Sequence, residues 1–212
     1  MKNYSETVKF RYKFLAHVYD LMDIVGFRNK KYSPRLGLAR HIPNENIIIL
    51  DVCFGTGNSG ITIATKNTKN KIIGIDLSKQ MLKVAQNKIS RKQLNNITLR
   101  NMDATNIRLN PIFDVVTTSL SLHEMPKDIM DAVVSEMVRV LKNNGKMYII
   151  EWDKPTRFLS SIVFMLFPYF IEPKGFGKFL KLDWKSYLEK HGLKFESVEK
   201  YMFTKLIIAS KG

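Results

Sequence analysis

Apolar residues in this chain occur either in short continuous runs or at every third or fourth position. The continuous runs predict five buried strands, over residues 47–50, 71–76, 97–101, 113–118 and 146–152. Consecutive apolar positions are typical of strands in a parallel sheet that is covered on both faces. The segments between these runs have the apolar spacing of helices. Strands that alternate with helices predict a doubly wound α/β fold.

The two ends of the chain depart from this alternation. Residues 5–27 and 34–42 predict two helices before the first strand. After the fifth strand, residues 183–191 predict a short helix, and residues 193–200 and 202–210 predict two strands. Their short connection predicts an antiparallel hairpin. The predicted sheet therefore has seven strands, mostly parallel, with a C-terminal antiparallel hairpin and a helical N-terminal cap.

The most informative stretch is residues 46–60, where the first strand runs into a glycine-rich turn. Gly55-Thr-Gly-Asn-Ser-Gly60 matches the pattern G-x-G-x-x-G, and Asp76 follows about 20 residues later. Glycines let a ligand approach the backbone closely, and the N–H groups that begin the next helix face that ligand. The pattern alone fits a nicotinamide cofactor or another cofactor that contains adenosine.

Asp51 favours one of these cofactors over the other. It stands at the end of the first strand, just before the turn. A carboxylate there repels a pyrophosphate group but attracts a cationic amino group. S-Adenosylmethionine carries an ammonium and a sulfonium, so Asp51 favours it. The predicted helices before the first strand agree, because a dinucleotide-binding domain normally opens with its glycine turn.

Net charge and cysteine content limit which binding partners and which cellular compartment are expected for this protein. The chain has 34 Lys and Arg residues against 19 Asp and Glu residues, a net charge of +15. Such an excess attracts RNA, anionic lipid or a phosphorylated substrate. The lysines are scattered, and no arginine-rich stripe has interleaved aromatic residues, so nucleic acid is not expected as a partner. With Cys53 as the single cysteine and no signal-peptide pattern, we expect a cytoplasmic protein.

Several separate stretches resemble one family of enzymes. Asp51-x-x-x-Gly-Thr-Gly57 resembles motif I of the class I S-adenosylmethionine-dependent methyltransferases, with Cys53 where many members have a first glycine. Residues 14–22, 74–82, 136–145 and 151–155 resemble segments of the UbiE-like C-methyltransferases of ubiquinone and menaquinone biosynthesis. The similarity covers most of the chain up to about residue 155. It implies a Rossmann-like class I methyltransferase fold and S-adenosylmethionine as the cofactor.

The strand-end positions and the resemblance together predict a set of cofactor-binding residues. They are Asp51, Gly55 and Gly57 for the methionine moiety, Asp76 for the ribose hydroxyls, Leu77 and Met81 flanking adenine, Asp103 and Ala104 at the adenine edge, Ser119 at the start of the loop after the fourth strand, and Tyr19, by resemblance, as a cap from the N-terminal helix. Capping of a helix or turn is the alternative role for Asp76 and Asp103.

The acceptor side is predicted from the loop at residues 119–124, which faces the reaction centre in this topology. Methylation of a phenolic ring carbon requires a base, and methylation of an amine requires a neutral nitrogen. His123 and Glu124 lie on this loop and are the candidate catalytic residues, since histidine titrates near neutrality. A structural role for His123 is the alternative. Glu151 and Asp153 follow the fifth strand and are interpreted as loop-anchoring carboxylates. No metal is predicted.

The length of 212 residues fits one domain with a sizeable core. We divide it into a helical cap (1–45), a cofactor-binding core (46–152), an apolar lid or substrate segment (153–182), and a closing helix with hairpin (183–212). Residues 158–171 are strongly apolar but too short to span a bilayer. They predict a helix packed on the body, a lid over a lipophilic substrate, or a contact with a membrane surface.

Four functions remain open from the sequence. The leading prediction is a methyltransferase with a small lipophilic or aromatic acceptor, where the resemblance implies quinol-like C-methylation. The second is a phospholipid N-methyltransferase or an RNA methyltransferase, which the charge and the apolar segment favour. A nicotinamide-dependent oxidoreductase and a non-catalytic S-adenosylmethionine sensor complete the set. The oligomeric state is not determined by the sequence.

Overall fold

The computed structural model describes residues 33–110, 112–154, 176–201 and 203–212. The predicted helix over residues 5–27, which includes Tyr19, lies outside these ranges, as does the apolar segment at 158–171. The roles predicted for these two segments therefore stay predictions.

The described residues contain alternating strands and helices followed by a C-terminal strand pair. The strands are β1 (Ile48–Val52), β2 (Lys71–Asp76), β3 (Ile97–Asn101), β4 (Phe113–Ser119), β5 (Leu141–Trp152), β6 (Leu193–Lys200) and β7 (Thr204–Lys211). The helices are α1 (Pro34–His41), α2 (Asn58–Lys66), α3 (Lys79–Arg91), α4 (Lys127–Val140), α5 (Phe176–Phe179) and α6 (Trp184–Lys190), with a 3-10 turn at Leu122–Glu124. None of these helices is both long and apolar enough to cross a membrane.

The strands form one sheet in the order β3-β2-β1-β4-β5-β7-β6. Neighbours from β3 to β5 are parallel, whereas β7 is antiparallel to both β5 and β6. The predicted seven-stranded, mostly parallel sheet with a C-terminal hairpin is confirmed. The chain places β2 and β3 on one side of β1 and then returns to place β4 on the other side. Such a reversal leaves a crevice at the carboxyl ends of the strands, where ligands bind.

The first strand is buried on both faces, which accounts for its continuous apolar run. Ile49 belongs to a cluster with Leu38 of α1 and Ile63 of α2. The next residue, Leu50, belongs to a separate cluster that includes Met137 of α4. Because successive side chains of a strand point to opposite faces, two layers of helices require an apolar residue at each position. The carboxyl end of β1 is therefore held in the middle of the domain.

Candidate active site

A cavity of about 210 Å³ opens where the chain order reverses, at the carboxyl ends of the central strands. The predicted site residues that line it are Asp51, Gly55, Gly57, Asp76, Leu77, Met81, Asp103, Ala104, Ser119 and Glu124. Folding thus brings the ends of four strands and the loop after β4 to one place. His123 does not line this cavity, and Tyr19 lies outside the described residues.

The turn after β1 has three residues in the left-handed region. Gly55 and Gly57 have φ angles of 57° and 85°, and Cys53 has a φ angle of 57°. Glycine adopts this region without steric cost, whereas a residue with a Cβ atom is strained there. This geometry favours glycine over cysteine at position 53. The thiol also lies at the cavity, where burial raises its pKa.

The ring of Phe54 fills a hollow whose walls are glycines. A Cβ atom would lie 2.6 Å from this ring at Gly57, 2.2 Å at Gly60 and 2.4 Å at Gly74. Real Cβ atoms do not approach other carbons so closely, so these positions require glycine while the ring stays in place. The last glycine of the G-x-G-x-x-G pattern is thus required for packing against Phe54.

Asp51 is buried at the cavity, with an exposed fraction of 2%. Burial raises its pKa to about 8, while the backbone N–H of Gly60 and the charge of Arg35 act in the opposite direction. Without a cationic ligand the group is therefore mostly protonated at neutral pH. A cationic amino group in the cavity would stabilise its charged form.

Arg35 lines the same cavity, although its sequence context did not single it out. It lies at the start of α1, and its Nε donates a hydrogen bond to Oγ of Ser59 over 3.2 Å. It thereby joins α1 to α2, the helix after the glycine turn. Arg35 is one of 34 Lys and Arg residues and belongs to no recognisable motif. Only the packing of α1 on α2 could therefore identify it as a site residue.

Asp76 joins the glycine turn to the start of α3. Its Oδ2 accepts a hydrogen bond from the backbone N–H of Gly55, and its Oδ1 accepts one from that of Ser78, both over 2.8 Å. Ser78 in turn caps α3 by accepting from the N–H of Met81. The turn-forming role considered for Asp76 is therefore present. Its position in the cavity also keeps the carboxylate near any bound ligand.

Asp103 is exposed at the rim of the cavity and also holds a turn. Its Oδ1 accepts hydrogen bonds from the N–H and the hydroxyl of Thr105, each over 2.8 Å. The chain after this turn is held by Glu136, which accepts from the N–H of Ile107, and by Arg139, which donates to the carbonyl of Ile107. The stretch at residues 136–145 therefore supports the predicted adenine side of the site.

The cavity lining contains an unsatisfied hydroxyl at the end of β4. The Oγ atom of Ser119 is buried and has no hydrogen-bond partner among the described residues. Buried polar groups normally have partners, so this hydroxyl fits a site for a polar ligand. The lining also includes the apolar side chains of Leu77, Met81 and Ala104. Acidic, apolar and hydroxyl groups in this arrangement fit a ligand with a cationic amino group and a flat base.

The loop after β4 rests on a fully buried carboxylate. Oε1 of Glu151 accepts hydrogen bonds from the backbone N–H groups of Ser121 and Leu122, over 3.0 and 2.7 Å. Oε2 lies 2.7 Å from Nδ1 of His123, and Nε2 of His123 accepts from the indole N–H of Trp152 over 3.3 Å. Glu151 therefore anchors this loop, as interpreted from the sequence, and both ring nitrogens of His123 contact neighbouring side chains.

Comparison with known proteins agrees with this geometry. The ubiE/COQ5 methyltransferase family matches residues 1–206. A demethylmenaquinone methyltransferase from a Geobacillus strain is 35% identical over 177 residues, which cover 82% of this chain and 74% of that protein. One from Oceanobacillus iheyensis is 32% identical over 186 residues, which cover 86% and 77%.

Solved structures share the fold at lower identity. A SAM-dependent methyltransferase from Aquifex aeolicus aligns with a TM-score of 0.68 and 18% identity, over 89% of this chain and 92% of that one. Magnesium protoporphyrin IX methyltransferase from Synechocystis, solved with bound SAH, aligns with a TM-score of 0.62 and 16% identity, over 89% and 84%. These structures establish a class I Rossmann-like methyltransferase fold. The chain belongs to the ubiE/COQ5 methyltransferase family and is an S-adenosylmethionine-dependent methyltransferase.

Proposed function

We propose that this enzyme methylates a ring carbon of a small, lipophilic quinol. The relatives at 35% and 32% identity are named demethylmenaquinone methyltransferases, which supports reduced demethylmenaquinone as the acceptor class. The observation that carries the proposal is the shared cavity, in which the proposed cofactor residues and the loop after β4 face the same space. A donor and an acceptor bound there would be close enough to react.

We assign the residues of the cavity to parts of the cofactor by their chemistry. Asp51 would hold the amino group and Arg35 the carboxylate of the methionine moiety, because each has the complementary charge. Asp76 would accept hydrogen bonds from the ribose, beside the backbone of Gly55 and Gly57. At the adenine, Leu77, Met81 and Ala104 would pack on the base, while Asp103 would hydrogen-bond to its polar edge. Ser119, at the end of β4, would contact the cofactor near the reaction centre. Tyr19 stays a prediction for closing the cofactor pocket.

S-Adenosylmethionine supplies a methyl group that is already activated by its attachment to a sulfonium. The protein must therefore align this group with the acceptor carbon and keep water away. A hydroxylated ring becomes more nucleophilic when a base accepts its hydroxyl proton. We assign this role to Glu124, which lines the cavity. His123 is the alternative base, although its ring is buried and in contact with Glu151 and Trp152.

The proposal is tested by measuring methyl transfer from S-adenosylmethionine to four kinds of acceptor. These are reduced demethylmenaquinone with a short side chain, phosphatidylethanolamine vesicles, a mixed RNA, and buffer alone. We expect turnover with the quinol, and a Glu124→Gln variant with reduced kcat but unchanged affinity for S-adenosylhomocysteine. Turnover with lipid or RNA but not with the quinol would contradict the proposed acceptor. Cofactor binding without turnover on any acceptor would support a sensor.

We also propose that the enzyme contacts a membrane surface when it collects its acceptor. A lipophilic quinol resides in lipid, and a net charge of +15 favours anionic headgroups. Co-sedimentation with phosphatidylglycerol vesicles should exceed that with phosphatidylcholine vesicles and should weaken as salt is added. Equal binding to both lipids, or none to either, would contradict this contact.

A further inference from the structure

The buried carboxylate of Glu151 lies beneath the loop that faces the acceptor, but it does not line the cavity. It receives hydrogen bonds from both the backbone and a side chain of that loop. Removing a partner from a buried charge is costly, so these contacts fix the loop strongly. Three residues of this loop line the cavity, namely Ser119, Ser121 and Glu124.

The two neighbours of His123 determine which of its nitrogens carries the proton. A carboxylate only accepts hydrogen bonds, and an indole N–H only donates them. Nδ1 faces Glu151 over 2.7 Å and must therefore carry hydrogen, whereas Nε2 faces the indole of Trp152 over 3.3 Å and must offer its lone pair. The three side chains form one directed chain of hydrogen bonds from Trp152 through His123 to Glu151.

Aromatic rings cover this chain of hydrogen bonds. The rings of Phe176 and Phe179 meet the imidazole of His123 edge-on, with centroids 5.8 and 6.0 Å away. The indole of Trp152 lies at 6.2 Å, also edge-on. Hydrogen bonds are stronger in apolar surroundings than in water. A tautomer that leaves a donor or acceptor unpaired is therefore more costly in free energy there. The tautomer of His123 and the orientation of Trp152 are thus coupled to the charge of Glu151.

We propose that Glu151 is a positioning residue for methyl transfer, which holds the acceptor-side loop and keeps His123 in the tautomer with hydrogen on Nδ1 and a lone pair on Nε2. This inference rests on the proposed quinol acceptor for its effect on turnover. The state of His123 itself can be measured without any acceptor. Glu151 acts through Ser121, Leu122 and His123, and it does not touch the cofactor pocket.

A Glu151→Gln substitution tests the role of the charge with little change in shape. If the amide oxygen stays on Ser121 and Leu122, its NH₂ group faces Nδ1 of His123, donor against donor. If the amide turns around, the NH₂ group faces the two backbone N–H groups instead. Either orientation leaves a buried donor without an acceptor, so the loop or the imidazole must move.

The matched control is Glu199→Gln. Glu199 also pairs with a histidine, His41, over 2.6 Å, and the substitution removes the same charge. This pair is exposed and joins α1 to β6, away from the cavity lining. A general effect of charge or of a lost histidine–carboxylate pair would appear equally in both variants.

Imidazole ¹⁵N NMR of the wild-type protein should show His123 with hydrogen on Nδ1 and a lone pair on Nε2. The E151Q variant should lose this single signature, and E151Q combined with W152F should move the hydrogen to Nε2, because no indole donor then opposes it.

With the quinol acceptor, kcat/KM of E151Q should fall at least about tenfold, the effect of losing a hydrogen bond to a charged group, with unchanged affinity for S-adenosylhomocysteine. E199Q should match the wild type in each measurement.

Hydrogen on Nε2 in the wild-type protein would overturn the proposal without any variant, even if E151Q failed to fold. A kcat/KM of E151Q within about twofold of wild type, or an equal loss of cofactor affinity, would also overturn it. Absence of wild-type turnover with the quinol would instead contradict the proposed acceptor. The NMR measurements on the wild type and on E151Q/W152F would still decide whether Glu151 sets the state of His123.

Discussion

The ring of Phe54 rests on the backbone of Gly74, so closely that a Cβ atom on Gly74 would lie 2.4 Å from Cδ2 of the ring. Phe54 belongs to the glycine turn, and Gly74 lies in the neighbouring strand β2. This contact packs the turn against the neighbouring strand. Since Phe54 also lines the cavity, a shift of its ring would change the cofactor pocket.

We expect Gly74→Ala to push the ring of Phe54 toward the cavity. Overpacking of this kind costs about 1–3 kcal/mol in the free energy of unfolding. Affinity for S-adenosylhomocysteine should fall as well, because the displaced ring enters the cofactor pocket. Urea denaturation and isothermal titration calorimetry measure the two effects. Gly177→Ala is the control, since a Cβ atom added there would meet no other atom within 4 Å. Wild-type stability and affinity in G74A would refute the role of this contact.

Cys53 is strained by its left-handed backbone, and Cys53→Gly should relieve that strain. We expect the glycine variant to be more stable than Cys53→Ala by about 1 kcal/mol, because an L residue at positive φ carries a steric cost that glycine lacks. Chemical denaturation of the two variants gives the difference directly.

The same pair of substitutions at Ser90 provides the control. Ser90 is exposed within α3, where the backbone is helical. Ser90→Ala should be more stable than Ser90→Gly by about 1 kcal/mol, which is the reverse of the order expected at position 53. If the alanine variant were more stable than the glycine variant at both positions, Cys53 would carry no backbone strain.

Arg35 should contribute to cofactor affinity through the carboxylate of the methionine moiety. We expect Arg35→Gln to weaken binding of S-adenosylhomocysteine at least about tenfold, as for the loss of a charge-assisted hydrogen bond. Binding of methylthioadenosine, which lacks the amino-acid portion, should not change. Arg40→Gln on the same helix is the control, since Arg40 is exposed and does not line the cavity. If Arg35→Gln weakened the affinity for both ligands equally, Arg35 would not act through the carboxylate of the methionine moiety.

Cofactor binding should release a proton from Asp51. Burial raises the pKa of this carboxyl to about 8 in the free protein, and an amino group beside it favours the charged form. Affinity for S-adenosylhomocysteine should therefore rise with pH up to about 8. Calorimetry in buffers with different ionisation enthalpies measures the released proton. The release should disappear in Asp51→Asn, and its persistence there would assign it to another group.

The same pKa shift has the opposite consequence for the ligand-free protein. The folded pKa lies above the unfolded value of 3.8, so the folded state binds the proton more tightly. The contribution of Asp51 to stability is then complete below pH 3.8 and is lost as pH rises through about 8. Relative to wild type, Asp51→Asn should become the more stable variant as pH rises across this range. A constant difference between the two unfolding free energies would contradict the raised pKa.

The sheet and much of the proposed cofactor site could be predicted because each depends on local signals. Continuous apolar runs identified strands buried on both faces, and the strand ends identified Asp51, Asp76 and Asp103. Outside such patterns, Arg35 was not predicted, and Glu151 was interpreted as a loop-anchoring carboxylate without its partners. Arg35 reaches the cavity only because α1 packs on α2. Glu151 reaches the loop after β4 only because β5 lies beside β4 in the sheet.

The sequence by itself determined the fold class, the family and the position of the glycine turn, because apolar period, turn chemistry and motif spacing are properties of neighbouring residues. Only the tertiary structure decided that Phe54 requires Gly60 and Gly74, and that His123 faces Glu151 and Trp152 instead of the cavity. Except for Phe54 and Gly60, these partners lie far apart along the chain. Contacts of that kind arise when the sheet assembles, so no local pattern of residues encodes them.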